Sequence, residues 1–372
     1  MSADLEKTID RIATEVVAKH AIAVDRGEFP TAALTALREA GLLGLTSATA
    51  VGGLGQGLRA AALTVERLGR ECGSTAMVVC MHYAGTAVIE QLGPEAIRKD
   101  IAAGKHLSTL AFSEAGSRSQ FWAPVSTATA TTSGVALDAQ KSWVTSAHHA
   151  TAYIWSSKPV AAAGPSTLWL VPRDTPGLTH GAAFDGLGLR GNDSGPVAAK
   201  AVHLSESARL GADGGGFAIM MELVLPWFNV MNAAASLGLM EKAVSATAAQ
   251  AAGAGFAHTG TTVADLPTAR AFIARMRIRT DMLRGLLLDT IDAIERSRPD
   301  AVLRVLEIKA AAGEAATEVT DLAMRVSGGA AFRKEVGVER VFRDARAALV
   351  MSPTTDQLYD FIGKAVCGLP LF

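Results

Sequence analysis

The chain has 372 residues, 49% of them hydrophobic and 19% charged, with a formal net charge of −1. That length allows two or three domains with ample core, and the near-zero charge excludes the basic footprint of a nucleic-acid binder or of a protein drawn to an anionic membrane. Cys72, Cys80 and Cys367 stand in no disulfide or zinc-site spacing, which argues against both and for a reducing compartment.

Residues 1 to about 108 read as helices. The opening "MSADLEKTIDRIATEVVAKH" spreads charge through a helical pattern and has no apolar stretch of the signal-peptide kind. Apolar residues recur at three- and four-residue spacing in "TALREAGLLGL" and "LRAAALTVERLG", and Gly41, Gly69, Gly73 and Gly93 fall where helices would stop. The run "VGGLGQGL" lacks phosphate-loop spacing and follows no strand, so it reads as a connecting loop.

From about 109 to 207 the runs become short, β-branched or aromatic, as in "VSTATATTSGVALDAQKSWVTSA", "AYIWSSKP" and "STLWLVP". Their spacing predicts an antiparallel barrel or sandwich with a hairpin turn through Ser133-Gly134. After "GADGGGF" the helical texture returns. The most apolar stretch, "FAIMMELVLPWFNVMNAAASLGLM", is interrupted by Glu222, Pro226, Asn229 and Asn232, which favours a buried helix over a membrane span. A long helix is expected from Asp265, with Pro267 in its first turn, to Pro299, and another over 301–327 stopping at Gly328-Gly329. The domains are therefore expected at 1–108, 109–210 and 211–372, in the order α, β, α.

Four strings stand at specific places in that order: "FSEAGSRS" (112–119), "LDAQKSWVTSA" (137–147), "GLGLRGNDSGPV" (186–197) and "SGGAAF…ERVFRDAR" (327–346). Together they resemble the acyl-CoA dehydrogenase superfamily over nearly the whole chain. The resemblance implies an α+β fold: an N-terminal helical domain, a middle antiparallel β-barrel and a C-terminal four-helix bundle. It also implies an FAD-dependent oxidoreductase acting on an acyl thioester, bound to coenzyme A or a carrier protein. Such a protein is expected to be a cytoplasmic homodimer or homotetramer, with no metal, nucleic-acid or membrane partner.

The resemblance assigns residues as well. Phe112, Ser113, Ser119, Trp143, Val144, Thr145, Gly328, Gly329 and Thr354 match positions at the flavin, and Ser119, Arg118 and Phe228 match the substrate side. On their own terms, Trp143 and Thr145 alternate with Val144 along a strand and so share a face. That face either stacks an indole and offers a hydroxyl to a flavin ring, or holds a core aromatic and a solvated threonine. Arg118 stands where the resembling segment has a small residue. It reads either as a solvated arginine or as a contact to a phosphate or a polar acyl group. Gly328 and Gly329 read as a helix C-cap, and by resemblance they let the backbone approach the cofactor of a neighbouring subunit. Arg343 and Asp344 are expected to form structural salt bridges at a helix start.

The pattern fails where the chemistry needs it. Removing an α-proton from a thioester requires a base, which the family supplies as a glutamate from one of two places. Here one place holds Ser352, followed by Pro353, and the other falls at or beside Phe228. A relocated base is then sought in Asp356, one turn further on, although its residue type and place read first as a helix-start cap. Glu222, His148 and His149 are weaker candidates; as neighbours on a strand, the two histidines would face opposite ways. The family's arginine toward the FAD pyrophosphate is also missing from "GFAHTGTTVADLP", where Phe256 falls near its place and only Gly260 and His258 remain to consider. These departures keep open a flavin-dependent monooxygenase of the same fold, and a degenerate, non-catalytic subunit.

Overall fold

The computed structural model describes residues 2–118 and 120–371; Ser119, expected at cofactor and substrate, lies outside them. The first part is helical: α1 (Ala3–Ile12), α2 (Ala18–Asp25), α3 (Thr31–Glu39), α4 (Leu58–Glu71), α5 (Gly73–Leu92) and α6 (Glu95–Ala102). The middle part carries β1 (Ser108–Ala111), β2 (Thr127–Thr131), β3 (Gly134–Val144), β4 (Ala152–Ser157), β5 (Thr167–Pro172), β6 (Leu178–His180), β7 (Gly195–Leu204) and β8 (Arg209–Leu210). These form two four-stranded sheets, ordered β1-β4-β5-β8 and β2-β3-β7-β6. Their inner faces share one core, with Tyr153, Trp155 and Trp169 from one sheet against Val135, Leu137 and Val202 from the other. The pairs are antiparallel except β1–β4, which is parallel. The first hairpin pairs Thr131 with Gly134, so its turn is Thr132-Ser133, one residue earlier than expected.

The third part begins with α7 (Gly216–Ile219), which passes through a π-helical turn, Met220–Val224, into α8 (Leu225–Gly253). A small hairpin, β9 (Gly255–Phe256) with β10 (Thr261–Thr262), leads to α9 (Pro267–Glu295) and α10 (Ala301–Ser327). Asp265 precedes α9; its carboxylate accepts from Thr262 N–H (2.7 Å) and closes a capping box. The chain ends with α11 (Val338–Ala345), α12 (Ala347–Val350) and α13 (Thr355–Val366). Helices α8, α9 and α10 pack on one another, and α13 lies against α10, completing a four-helix bundle. The stretch Gly216–Gly253 is long and apolar enough to cross a membrane by length and composition, and 72% of its most apolar window is buried inside the protein. Glu222 lies exposed on it.

Gly69 does not stop a helix. It lies inside α4, where a β-carbon would come within 2.9 Å of the Ala235 carbonyl of α8, and Gly238 of α8 faces the Glu66 carbonyl in the same way. The two helices cross with their backbones in contact, which only glycine permits. The expectation for Asp344 and Arg343 is also corrected: they end α11 instead of starting it. Arg343 does pair, with Asp25 and Glu339, but Asp344 is buried, forms no ion pair with a described residue, and accepts from Leu189 N–H (2.7 Å).

His82 of α5 ties the first helices to the sheet. Its Nε2–H donates to the Leu43 carbonyl (2.8 Å), and its Nδ1 accepts from Ser108 N–H at the start of β1 (3.0 Å). This arrangement uses the neutral ring. Burial pushes its pKa down to about 4, so its contribution to stability is present above the unfolded value of about 6.5 and is lost as pH falls toward 4. The group should therefore remove about 2 kcal/mol between pH 7 and pH 5. Urea denaturation of the wild type and of His82→Gln at both pH values checks this; the wild type should show the steeper loss.

Candidate active site

All three parts of the chain contribute to one cavity of about 500 Å³. Met77 and Met81 of α5 form one wall, and Val224, Leu225 and Phe228 at the start of α8 form another. The segment Phe112–Arg118, the end of β3 and the loop from Phe184 to Ser194 supply the side from the sheets. Ala347, Val350, Met351 and Ser352 close it from the C-terminal part.

The sequence expectations sort clearly against this wall. Phe112, Ser113, Arg118, Trp143, Thr145 and Phe228 line it. Val144 does not: its side chain enters the core between the sheets, opposite Gly195. Trp143 and Thr145 both reach the cavity, but regular alternation is not what brings them there. The β3–β7 register shifts between Lys141 and Val144, and Trp143 takes a left-handed φ of 56°. The indole is 62% exposed and packs on Phe184 at 4.3 Å between ring centroids. The Thr145 hydroxyl is 3.3 Å from that of Ser194.

Several candidates lie elsewhere. Asp356 is exposed in the first turn of α13 and is not on the wall. Thr354 caps that helix, its hydroxyl accepting from Gln357 N–H (3.3 Å). Gly328 and Gly329 lie exposed at the end of α10. His148 and His149 occupy a turn after β3, not a strand. There His148 is held by Asp193 through its backbone N–H and its Nδ1 (2.7 Å each), and His149 stacks on Phe29 at 3.8 Å. Phe256 sits in the β9–β10 hairpin beside the exposed His258.

Both family positions for the base, Ser352 and Phe228, do face the cavity. Among the described wall residues the one carboxylate is Glu114, and it is fully engaged. Glu114 pairs with Lys141, both side chains being wholly buried, and accepts from Ser126 Oγ–H, Val125 N–H (2.6 Å) and Ser126 N–H (3.0 Å). Lys141 also donates to the carbonyl of Ser156 (2.7 Å) and to its hydroxyl (3.0 Å). Burial drives Lys141 down to about 8 against the pull of Glu114. For Glu114, burial acts upward, but Lys141 and the donors around it hold the carboxyl below its usual range. The pair fastens the Phe112–Arg118 segment to β3.

Sequence reasoning missed this pair, although a signal was present. Lys141 continues the inward positions Val135, Leu137 and Ala139 on β3, and an inward lysine needs a partner. Lys309 was missed for the same reason. It sits on the buried face of α10 and donates to the carbonyls of Ala348 (3.2 Å), Met351 (2.8 Å) and Pro353 (2.7 Å), with burial pushing it down to about 7. One buried ammonium thus fixes the segment that brings Met351 and Ser352 to the cavity. Lys309→Met should leave three carbonyls without that donor and cost about 3 kcal/mol, read as a lowered urea midpoint with the slope unchanged.

A junction cavity with an apolar interior, edged by an exposed indole and hydroxyls, has the kind of lining that seats a planar aromatic cofactor. The acyl-CoA dehydrogenase N-terminal, middle and C-terminal domain families match residues 2–104, 109–202 and 214–367. Among curated proteins the chain is similar to the probable acyl-CoA dehydrogenase YngJ of Bacillus subtilis, 26% identical over 361 residues (95% of this chain, 94% of that one). It is also similar to cyclohex-1-ene-1-carbonyl-CoA dehydrogenase of Geobacter metallireducens, 26% identical over 370 residues (95% of each). Butyryl-CoA dehydrogenase from Megasphaera elsdenii shares the fold at a TM-score of 0.92 and 21% identity, over 99% of both chains. This chain belongs to the acyl-CoA dehydrogenase family. It is an oxidoreductase of that type with FAD as its cofactor.

Proposed function

We propose that the protein oxidises an acyl thioester, carried by coenzyme A or a carrier protein, without a glutamate base at either of the family's positions. The observation that carries this reading is the composition of the wall. Ser352 and Phe228 occupy the two positions, and Glu114, the one carboxylate among the described wall residues, is committed to Lys141. Asp356 would have to come in from the exposed face of α13 to serve instead.

The residues present fit a flavin. The exposed Trp143 indole supplies an aromatic face, the Thr145 hydroxyl a donor, and Phe112 and Ser113 an apolar wall with a polar edge. When bound, FAD supplies the hydride acceptor. The chain's own part is to seat the acyl group among Met77, Met81, Leu225 and Phe228 and to exclude water from it. Thr145→Val removes the donor with little change in volume, and it should shift the flavin absorption bands of the loaded protein while leaving its thermal midpoint within about 2 °C. Unchanged spectrum and FAD affinity would place the flavin elsewhere.

Gly328, Gly329 and Phe332 lie away from this wall, and Phe332 is 80% exposed. Their exposure supports a homodimer or homotetramer in which that end of α10 meets a second copy. A wall without an available carboxylate also suits a flavin-dependent monooxygenase, which needs an apolar pocket and no α-proton base.

Ser352→Glu, alone and with Pro353→Gly, tests the main reading. The wild type should dehydrogenate simple acyl-CoA thioesters slowly, and the carboxylate should raise the rate by at least about 10²-fold. The second substitution relieves the bias that proline places on the backbone before it. Fast wild-type turnover abolished by Asp356→Asn would locate the base at Asp356. Oxygen consumption with a hydroxylated product would establish the monooxygenase.

A further inference from the structure

We propose that Arg118 binds the phosphate of a phosphopantetheine arm, the group that coenzyme A and carrier proteins share; this rests on the thioester reading above. Two charged side chains occur among the described wall residues, Glu114 and Arg118. Glu114 is neutralised by Lys141, whereas Arg118 is exposed and forms no ion pair with a described residue. The cavity therefore presents one uncompensated positive charge, and it does so at the solvent side.

The polarity of the wall gives the direction of the ligand. Met77, Met81, Leu225 and Phe228 offer nothing to an anion, so the acyl chain lies among them and the anionic part of the substrate trails outward past Arg118. A guanidinium presents a planar fork of donors that matches two phosphate oxygens.

The segment that carries Arg118 is fixed in place. The backbone N–H and hydroxyl of Ser117 both donate to the Glu114 carbonyl (3.2 Å each), and Gln120 N–H donates to the Ser117 carbonyl (3.0 Å). Glu114 is in turn fastened by the buried lysine. Arg118 itself takes φ 45°, a conformation glycine adopts without cost and arginine does not. What this position supplies is therefore the side chain.

The experiment uses the FAD-loaded protein and calorimetric binding of three probes with the same butyryl group: butyryl-pantetheine, butyryl-4′-phosphopantetheine and butyryl-CoA. A butyryl carrier protein is the fourth. Arg118→Gln should weaken every phosphate-bearing probe about 5–10-fold and leave butyryl-pantetheine unchanged, and added salt should erase the wild type's preference for phosphate. Equal loss across all probes, or no loss, overturns the proposal while the thioester reading stands. A loss seen with butyryl-CoA and absent with butyryl-4′-phosphopantetheine moves the contact to the nucleotide and also overturns it. If no thioester binds the wild type, the thioester reading falls and Arg118's role with it. Where the phosphate contact holds, tighter binding of the carrier protein than of butyryl-CoA identifies the carrier as the source of the arm.

Discussion

The cavity exists only while three parts of the chain stay in register, and the Arg343 side chain touches all three. From α11 it pairs with Asp25 of α2 through both guanidinium ends (2.9 and 2.8 Å), with Glu339 on its own helix, and with the Leu187 carbonyl in the loop from the sheets (3.1 Å). Arg190, on that same loop, reaches Asp25 as well (3.4 Å). Burial works against the Asp25 carboxylate, and Arg343 with Arg190 outweighs it, holding its pKa below the usual range. Removing one partner of such a cluster strands the other charges in a poorly solvated place, so its value lies in specifying one arrangement of the parts more than in net stability.

Within that frame two buried lysines do different work. Lys141 faces a carboxylate and joins two neighbouring segments of the wall; Lys309 faces three backbone carbonyls and joins a helix to a loop. Asn232 of α8 adds a contact to the Met351 sulfur (3.3 Å), so that residue is held from two helices. The walls of the cavity are thus rigid polar constructions behind an apolar lining. Pre-organisation of this kind suits an enzyme whose cofactor must be presented to substrate at a fixed distance.

Much of this was legible in the sequence. The α, β, α order, the helix starting near Pro267 and the helix stopping at Gly328 follow from periodicity and from glycine and proline punctuation, which are local signals. Trp143, Thr145, Phe112 and Arg118 were singled out because their strings resemble a family, and the structure sets them on the cavity wall. What was not legible depended on contacts distant in sequence. Gly69 looked like a helix stop until Ala235 was seen against it. Lys141 and Lys309 looked like ordinary strand and helix lysines, because their partners lie 27 and about 40 residues away. The histidines after β3 were misread because a register shift and a left-handed Trp143 end the strand just before them.

The crossing of α4 and α8 at Gly69 and Gly238 has a mechanical consequence. Two helices whose backbones touch have no side-chain layer between them to shear, so the N-terminal and C-terminal helical parts behave as one stiff body. A tilt of one helical part against the other is therefore not available as a way to widen the cavity, and its apolar walls on α5 and α8 keep one spacing.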